Sequence, residues 1–318
     1  MNYLPVKQKL IDIGCDPVES LLDLLLKDKS THKNIIWATD TYESLGHGFT
    51  DKEQIDRYLL LQHADIIKPR IQKSQEAQAA RTRKKAEVFT PAWLCNQMNN
   101  YCDEEWFGRK AVFNLEKDDH TWEVIEEPIM FPMKKTWKRY IDSRRLEITC
   151  GEAPYLVSRY DVSTGDFIVP TKRRIGQLDR KLRVVNENTI EYDDWLKWTI
   201  RAIESCYGYE YQGDNLLIAR INLLLTFIDY YKERWEKDPE EKLLRQITNK
   251  IAWNIWQMDG LKDTVPLGKP YEEFHQMSLA DFFEDMSEFK EAEEDAIPCR
   301  IYNWRQENSL VFKTLKEK

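Results

Sequence analysis

The residues of this sequence with the types and spacing for chemistry are three acids, each at the end of an apolar stretch. Glu147 precedes the small-residue turn Cys150-Gly151, Glu210 closes the segment YGYE, and Asp259 with Gly260 closes WNIWQMDGL. The stretch RLEITCGEAPYLVSRYD reads as a short buried strand over 146–149, a tight turn over 150–153 and a helix opening at Pro154, a residue suited to the first helical position. Strand, glycine turn and helix N-terminus form the usual opening of a nucleotide-type site: backbone N–H groups point into the turn, and the missing Cβ of Gly151 admits a ligand.

The elements that must hold these acids follow from periodicity. EYDDWLKWTIRAIESC is an amphipathic helix, YGYE a strand, DNLLIARINLLLTFIDYYKERW a helix apolar on most of its face, EEKLLRQITNKI another helix, and WNIWQMDGL a third strand. Strand, helix, strand, helix, strand, with an acid or glycine at each carboxyl end, predicts a doubly wound α/β sheet that binds ligands at those ends. Upstream, a helix is expected after Asp16-Pro17, a strand or buried extended piece at NIIWATD, and a helix through EQIDRYLLLQHADII capped by Thr50. EVFTPAWLCNQM reads as a short extended piece and then a helix capped by Thr90, with Pro91 in its first turn. Residues 103–144 read as short strands or irregular structure, 162–190 as a polar, basic connection, 281–295 as a solvated acidic stretch, and CRIYNW with SLVFKTL as a terminal hairpin.

The totals narrow the class. With 318 residues the chain can bury a large core, and 32% charged residues with a mean hydropathy of −0.65 describe a soluble protein. No apolar run approaches a membrane span, and the N-terminus lacks the features of a signal peptide, so a cytoplasmic protein is expected. The six cysteines form no CxxC pair and the five histidines are scattered, which argues for buried thiols in a reducing compartment rather than a zinc site. The net charge of −8 excludes a uniformly basic coat but leaves room for a local stripe. Two basic stretches are candidates for contacts to nucleic-acid phosphates: Lys68, Arg70, Lys73, Arg81, Arg83, Lys84 and Lys85, and then Lys172, Arg173, Arg174, Arg180, Lys181 and Arg183. The bland reading of the first is a solvated helix face.

In this order the pieces resemble the N6-adenine DNA methyltransferases of restriction–modification systems, in particular the proteins called restriction endonuclease subunit M. The resemblance covers about residues 80–261. It implies an incomplete class I S-adenosylmethionine-dependent methyltransferase (Rossmann-like) sheet over 76–318, preceded by a mainly helical N-terminal arm over 1–75. Phe89, Thr90 and Pro91 match the FTP element, which in the family packs beside the methionine end of S-adenosylmethionine. Glu147, Cys150 and Gly151 match the turn that holds the cofactor's amino-acid part. Glu210 matches the acid that accepts from the ribose hydroxyls, as suits a carboxylate with two oxygens. Asp259 matches the acid near the adenine amino group, with Gly260 and Leu261 in the adjoining wall.

Two departures stand out. Ala153 replaces the last glycine of the family turn, and Glu152 adds a negative charge there. The catalytic Asn/Asp-Pro-Pro-Tyr/Phe motif, which engages a flipped adenine, has no counterpart, because the sequence contains no Pro-Pro pair. The expectation is a cofactor-binding half whose catalytic motif comes from a second polypeptide, with DNA as the substrate. The alternative is a non-catalytic protein of methyltransferase fold that binds DNA or a protein. A nuclease lacks support, since Glu240 and Lys242 have no Pro-Asp pair before them.

Overall fold

A computed structural model describes residues 9–85, 90–268 and 296–316. Phe89, matched above to the FTP element, and the acidic stretch 281–295 lie outside the described residues. The chain begins with α1 (Val18–Leu25), whose Val18, Leu21, Leu22 and Leu25 share one buried face at helical spacing. An extended piece through Ile35 and Trp37 follows, then α2 (Arg57–Gln62). The α2 cap is Asp56, which accepts from the N–H groups of Tyr58 and Leu59. Thr50, the expected cap, instead directs its N–H and hydroxyl to Glu53.

Next come α3 (Gln75–Lys85), α4 (Ala92–Phe107), a small antiparallel pair β1 (Asn114–Glu116) and β2 (Trp122–Val124), and α5 (Trp137–Asp142). Helix α4 starts after Pro91 without a side-chain cap, so the capping role expected of Thr90 is not realised. Strand β3 (Arg145–Glu147) leads through the turn to α6 (Gln177–Asn188) and α7 (Tyr192–Glu204). Then follow β4 (Cys206–Glu210), α8 (Gly213–Trp235), α9 (Glu241–Asn254), β5 (Ile255–Gln257) and the antiparallel hairpin of β6 (Arg300–Asn303) and β7 (Asn308–Val311).

The architecture is mixed α/β, built on a small parallel sheet of order β3-β4-β5. Cys206 and Ile255 join a large core with α1, α4 and α5 to α9, whereas Tyr207, Tyr209 and Trp256, which point the other way, pack on Cys299, Ile301 and Phe312 of the hairpin region. Both crossovers step in the same direction along the sheet. Crossovers of one hand then fall on one face, and a hairpin rather than helices covers the other. The large core runs from Ile11 to Ile255, so residues of the arm pack with the helices around the sheet. Among the described residues no helix is long and apolar enough to cross a membrane.

Two expectations are corrected. Strand β3 is an edge strand rather than a buried one, with Leu146 48% and Ile148 62% exposed. No helix opens at Pro154. A single turn forms, and the carbonyls of Tyr155 and Leu156 then accept from the N–H groups of Gln177 and Leu178, serving the otherwise unpaired N-terminal amides of α6.

Candidate functional site

Glu147 and Glu210 stand at the carboxyl ends of neighbouring parallel strands and turn to the same loop. The Glu147 carboxylate accepts from the N–H groups of Tyr155 at 3.3 Å and Leu156 at 3.1 Å. Glu210 accepts from Gly151 N–H at 2.8 Å and from Gln212 N–H at 3.1 Å. Both acids are buried. Burial pushes the Glu147 carboxyl up to about 8, against the two amide hydrogen bonds and helped by the nearby Glu210. Burial also raises Glu210, opposed by the amides of Gly151 and Gln212. Cys150 lies beneath the turn, its N–H on Tyr209 O at 2.8 Å and its sulfur beside Gly208. Burial raises its thiol, which makes it a packing group rather than a nucleophile.

The turn itself is left-handed at three alternate positions: Thr149 has φ 47°, Gly151 54° and Ala153 63°. Only glycine adopts this region without cost, so Ala153 holds the conformation for which a glycine is suited. Glu152, the added charge, does not face the loop's amides. Its carboxylate accepts from Arg70 N–H and from the Tyr160 hydroxyl.

The remaining matched residues lie around this centre. The Thr90 carbonyl accepts from the Cys95 thiol at 3.5 Å, and the Tyr155 side chain bonds to Thr90, so Thr90-Pro91 adjoins the turn. Asp259 follows Met258, whose N–H bonds to Glu210 O, but its carboxylate serves its own turn, accepting from Leu261 N–H at 3.0 Å and Lys262 N–H at 3.3 Å. Gly260 packs on the Tyr209 ring, which a Cβ would approach to 2.8 Å. Leu261 is 98% exposed. Gly151 and Glu210 are thus bonded directly, Glu147 and Cys150 stand beside them on β3 and its turn, Thr90 reaches the loop through Tyr155, and Asp259 stands one strand away.

The carboxyl ends of β4 and β5 are covered by the extended piece near Trp37. Gly213 N–H donates to Trp37 O, a Cβ at Gly213 would lie 2.1 Å from Ile36 O, and the Gln257 amide spans Ile36 and Tyr211. Asp214 anchors this cover. It accepts from Arg81 at 2.8 and 3.1 Å, from Tyr42 at 2.7 Å and from Lys73 at 3.2 Å. Burial would raise its carboxyl, but Lys73 and Arg81 hold it well below the usual range. Sequence reading missed this anchor; its only signal was an acid in the first turn of an otherwise apolar helix.

The second basic stretch is internal, which corrects its reading as a phosphate-contacting face. Arg180 donates to Asp103 at 2.6 Å and to Asn96 and Asn100, and Arg183 donates to the carbonyls of Phe113 and Ile125. Arg174 pairs with Asp229, and Lys181, bonded to Ser205 Oγ at 2.6 Å, is pushed by burial down to about 8. Only Lys172 and Arg173 of the six reach the surface, and Lys172 is paired with Glu126. In the first stretch Lys73 and Arg81 also turn inward, while Arg83 is exposed.

Two cavities among the described residues are lined by other residues than the matched acids. One of about 160 Å³ lies between β3 and the hairpin, lined by Leu146, Tyr207, Trp256, Ile301, Leu310 and Phe312 among others. The second, of about 250 Å³, lies beside Trp93, which stacks on His120 at 4.1 Å. Among the described residues no group of three His, Cys, Asp or Glu side chains could hold a metal. No protein-family model, curated protein or solved structure matches this chain.

Proposed function

We propose that this chain is the S-adenosylmethionine-binding subunit of a split DNA adenine-N6 methyltransferase of a restriction–modification or phage-defence system, with the Asn-Pro-Pro-Tyr/Phe motif supplied by a second polypeptide. The observation that carries the reading is the convergence of Glu147 and Glu210, from adjacent parallel strands, on the loop that follows β3, Glu210 on the Gly151 amide and Glu147 on those of Tyr155 and Leu156. The strand order β3-β4-β5 is also that of one half of a doubly wound sheet, and such sheets bind ligands beyond their carboxyl ends.

The residues fit the cofactor chemically. A carboxylate has about four lone-pair sites. Glu210 uses one on each oxygen for backbone amides, which leaves each oxygen able to accept from one of two adjacent hydroxyls. Glu147 keeps the turn in shape by holding the amides of Tyr155 and Leu156. The sulfonium-bound methyl is what the cofactor contributes; this chain's residues bind and orient it. Because Glu210 is buried under the covering segment, binding requires that segment to give way locally.

Calorimetric titration of S-adenosylmethionine into the purified chain tests the reading. Saturable binding is expected, weakened about 10- to 100-fold by Glu210→Ala through loss of charge-assisted hydrogen bonds. Asp259→Ala is expected to weaken it less. The satisfied state of both buried acids favours a second reading, a non-catalytic protein of this fold that binds DNA or a protein. Absence of cofactor binding, both by the chain alone and together with a polypeptide carrying the missing motif, would select it.

A further inference from the structure

We propose that the cavity between α4 and the β1–β2 hairpin is a binding site for a guanidinium group, carried by a free guanidino compound or by an arginine side chain. Neither Glu147 nor Glu210 lines this cavity, and the inference is independent of the cofactor reading.

The walls are fixed by their own bonds. Trp93 and Gln97, one turn apart on α4, line about 250 Å³ together with Glu116, Asp118, His120 and Trp122 of the hairpin. Glu116 and Trp122 are a cross-strand pair, so their side chains share one face of the hairpin. Asn114 ties the hairpin to α4 by exchanging hydrogen bonds with Asn96 at 2.8 and 3.0 Å, and Asn100 donates to Glu116 at 2.6 Å. The Trp122 indole is oriented by its N–H on Arg173 O at 2.9 Å. At the tip the chain passes through His120, left-handed at φ 64°. Its imidazole lies on the Trp93 indole, with ring centroids 4.1 Å apart and planes 22° from parallel. Asp118 and His120 are exposed, so the cavity is open to solvent at the tip.

The hydrogen-bonding capacity left over selects the ligand. The donors around the cavity are largely spent: the Asn96 amide on Asn114, the Thr121 hydroxyl on Asp119, the Trp122 N–H on Arg173 O and the Lys117 ammonium on Glu123 at 3.0 Å. The acceptors are not. Among the described residues no donor reaches the Asp118 carboxylate, Glu116 uses one oxygen on Asn100 and keeps the other, and the Gln97 amide is unengaged. Two carboxylates with open oxygens beside two indoles favour a cation that donates hydrogen bonds and disfavour an anion. The flat stack of His120 on Trp93 distinguishes one cation from another. A guanidinium is planar, lies on an indole face as that imidazole does, and keeps its N–H donors for the carboxylates at the rim, whereas an ammonium has no such plane.

The test titrates butylguanidine and the capped peptide Gly-Arg-Gly into the full chain, with capped Gly-Lys-Gly as control, and follows the indole N–H resonances by NMR. Saturable binding with a Kd of about 1 mM is expected for a ligand of so few atoms, and the arginine peptide should bind at least about 10-fold tighter than the lysine one. Equal affinity for butylguanidine and the arginine peptide supports a free guanidino compound as the ligand, and binding of the peptide alone supports an arginine of a polypeptide. Asp118→Asn, a change at an exposed residue, should weaken binding about 10-fold, and Trp93→Leu about 10- to 30-fold. The Trp93 indole resonance, identified by its loss in Trp93→Leu, should shift during the wild-type titration. No saturation by either guanidinium, equal binding of the lysine peptide, or wild-type affinity in both variants overturns the proposal.

Discussion

The sheet divides the molecule into two apolar interiors that differ in the buried charge they also hold. On the helical side, buried charges are held by fixed partners: Arg180 on Asp103, Lys181 on Ser205, and Arg220 on the carbonyls of Leu25 and Ile255. On the hairpin side the contacts are apolar and aromatic, Tyr209, Trp256 and Phe312 packing with ring centroids 5.2 to 6.2 Å apart, and the layer is left open at Leu146. Directional bonds fix the geometry behind the acids. Non-directional packing leaves the hairpin layer open at the edge of the sheet.

The largest expected effect breaks the polar side. Arg180→Met leaves the buried Asp103 with only the Tyr140 hydroxyl at 2.9 Å and Arg145 at 3.7 Å, and should cost about 3 kcal/mol of stability in denaturant unfolding. Arg180→Met combined with Asp103→Leu should recover much of that loss, which a double-mutant cycle would read; strict additivity would refute the pairing as the cause.

A second effect is pH dependence. Glu147 ordinarily titrates at 4.5 and in the fold at about 8, so between these values the folded chain holds a proton that the unfolded chain has released. Its contribution to stability therefore falls as pH rises through that window, by at most about 1.4 kcal/mol per pH unit. Glu147→Gln should remove this part of the slope, and the variant should gain on wild type progressively from pH 5 to pH 8. An unchanged slope in urea titrations across that range would place the proton elsewhere.

On the hairpin side, Ile301→Ala should cost about 2–3 kcal/mol as an ordinary core truncation, with little dependence on salt or pH. Leu146→Ser should change the stability of the isolated chain by less than about 1 kcal/mol, because half of that side chain is already in water. A large loss there would mean that the open edge is covered.

Much of the backbone plan is legible in the sequence. Helices α7, α8 and α9 and the β6–β7 hairpin follow the expected segments because their patterning is apolar and local. Helix α6 was hidden because its buried face carries Arg180, Lys181 and Arg183, whose partners are distant in sequence and cannot be seen from composition. The helix expected at Pro154 failed for a related reason: the local signal was sound, but Glu147 takes the N–H groups of Tyr155 and Leu156 and the start of α6 takes their carbonyls, which a continuing helix would need. At the site, the turn and the acids Glu147 and Glu210 could be named from spacing, whereas their shared bonding to the loop could not.

The sequence alone determined the order of α7, β4, α8, α9 and β5 and put an acid at the end of each strand region of the parallel sheet, since these depend on periodicity and turn chemistry within a few residues. Tertiary structure alone decided that the second basic stretch is interior, that Arg81 and Asp214 fasten the arm over the strand ends, and that β3 is an open edge. Those outcomes turn on whether a charged group finds a partner across the chain, because burying a charge is tolerable only with its counter-charge or carbonyls in place.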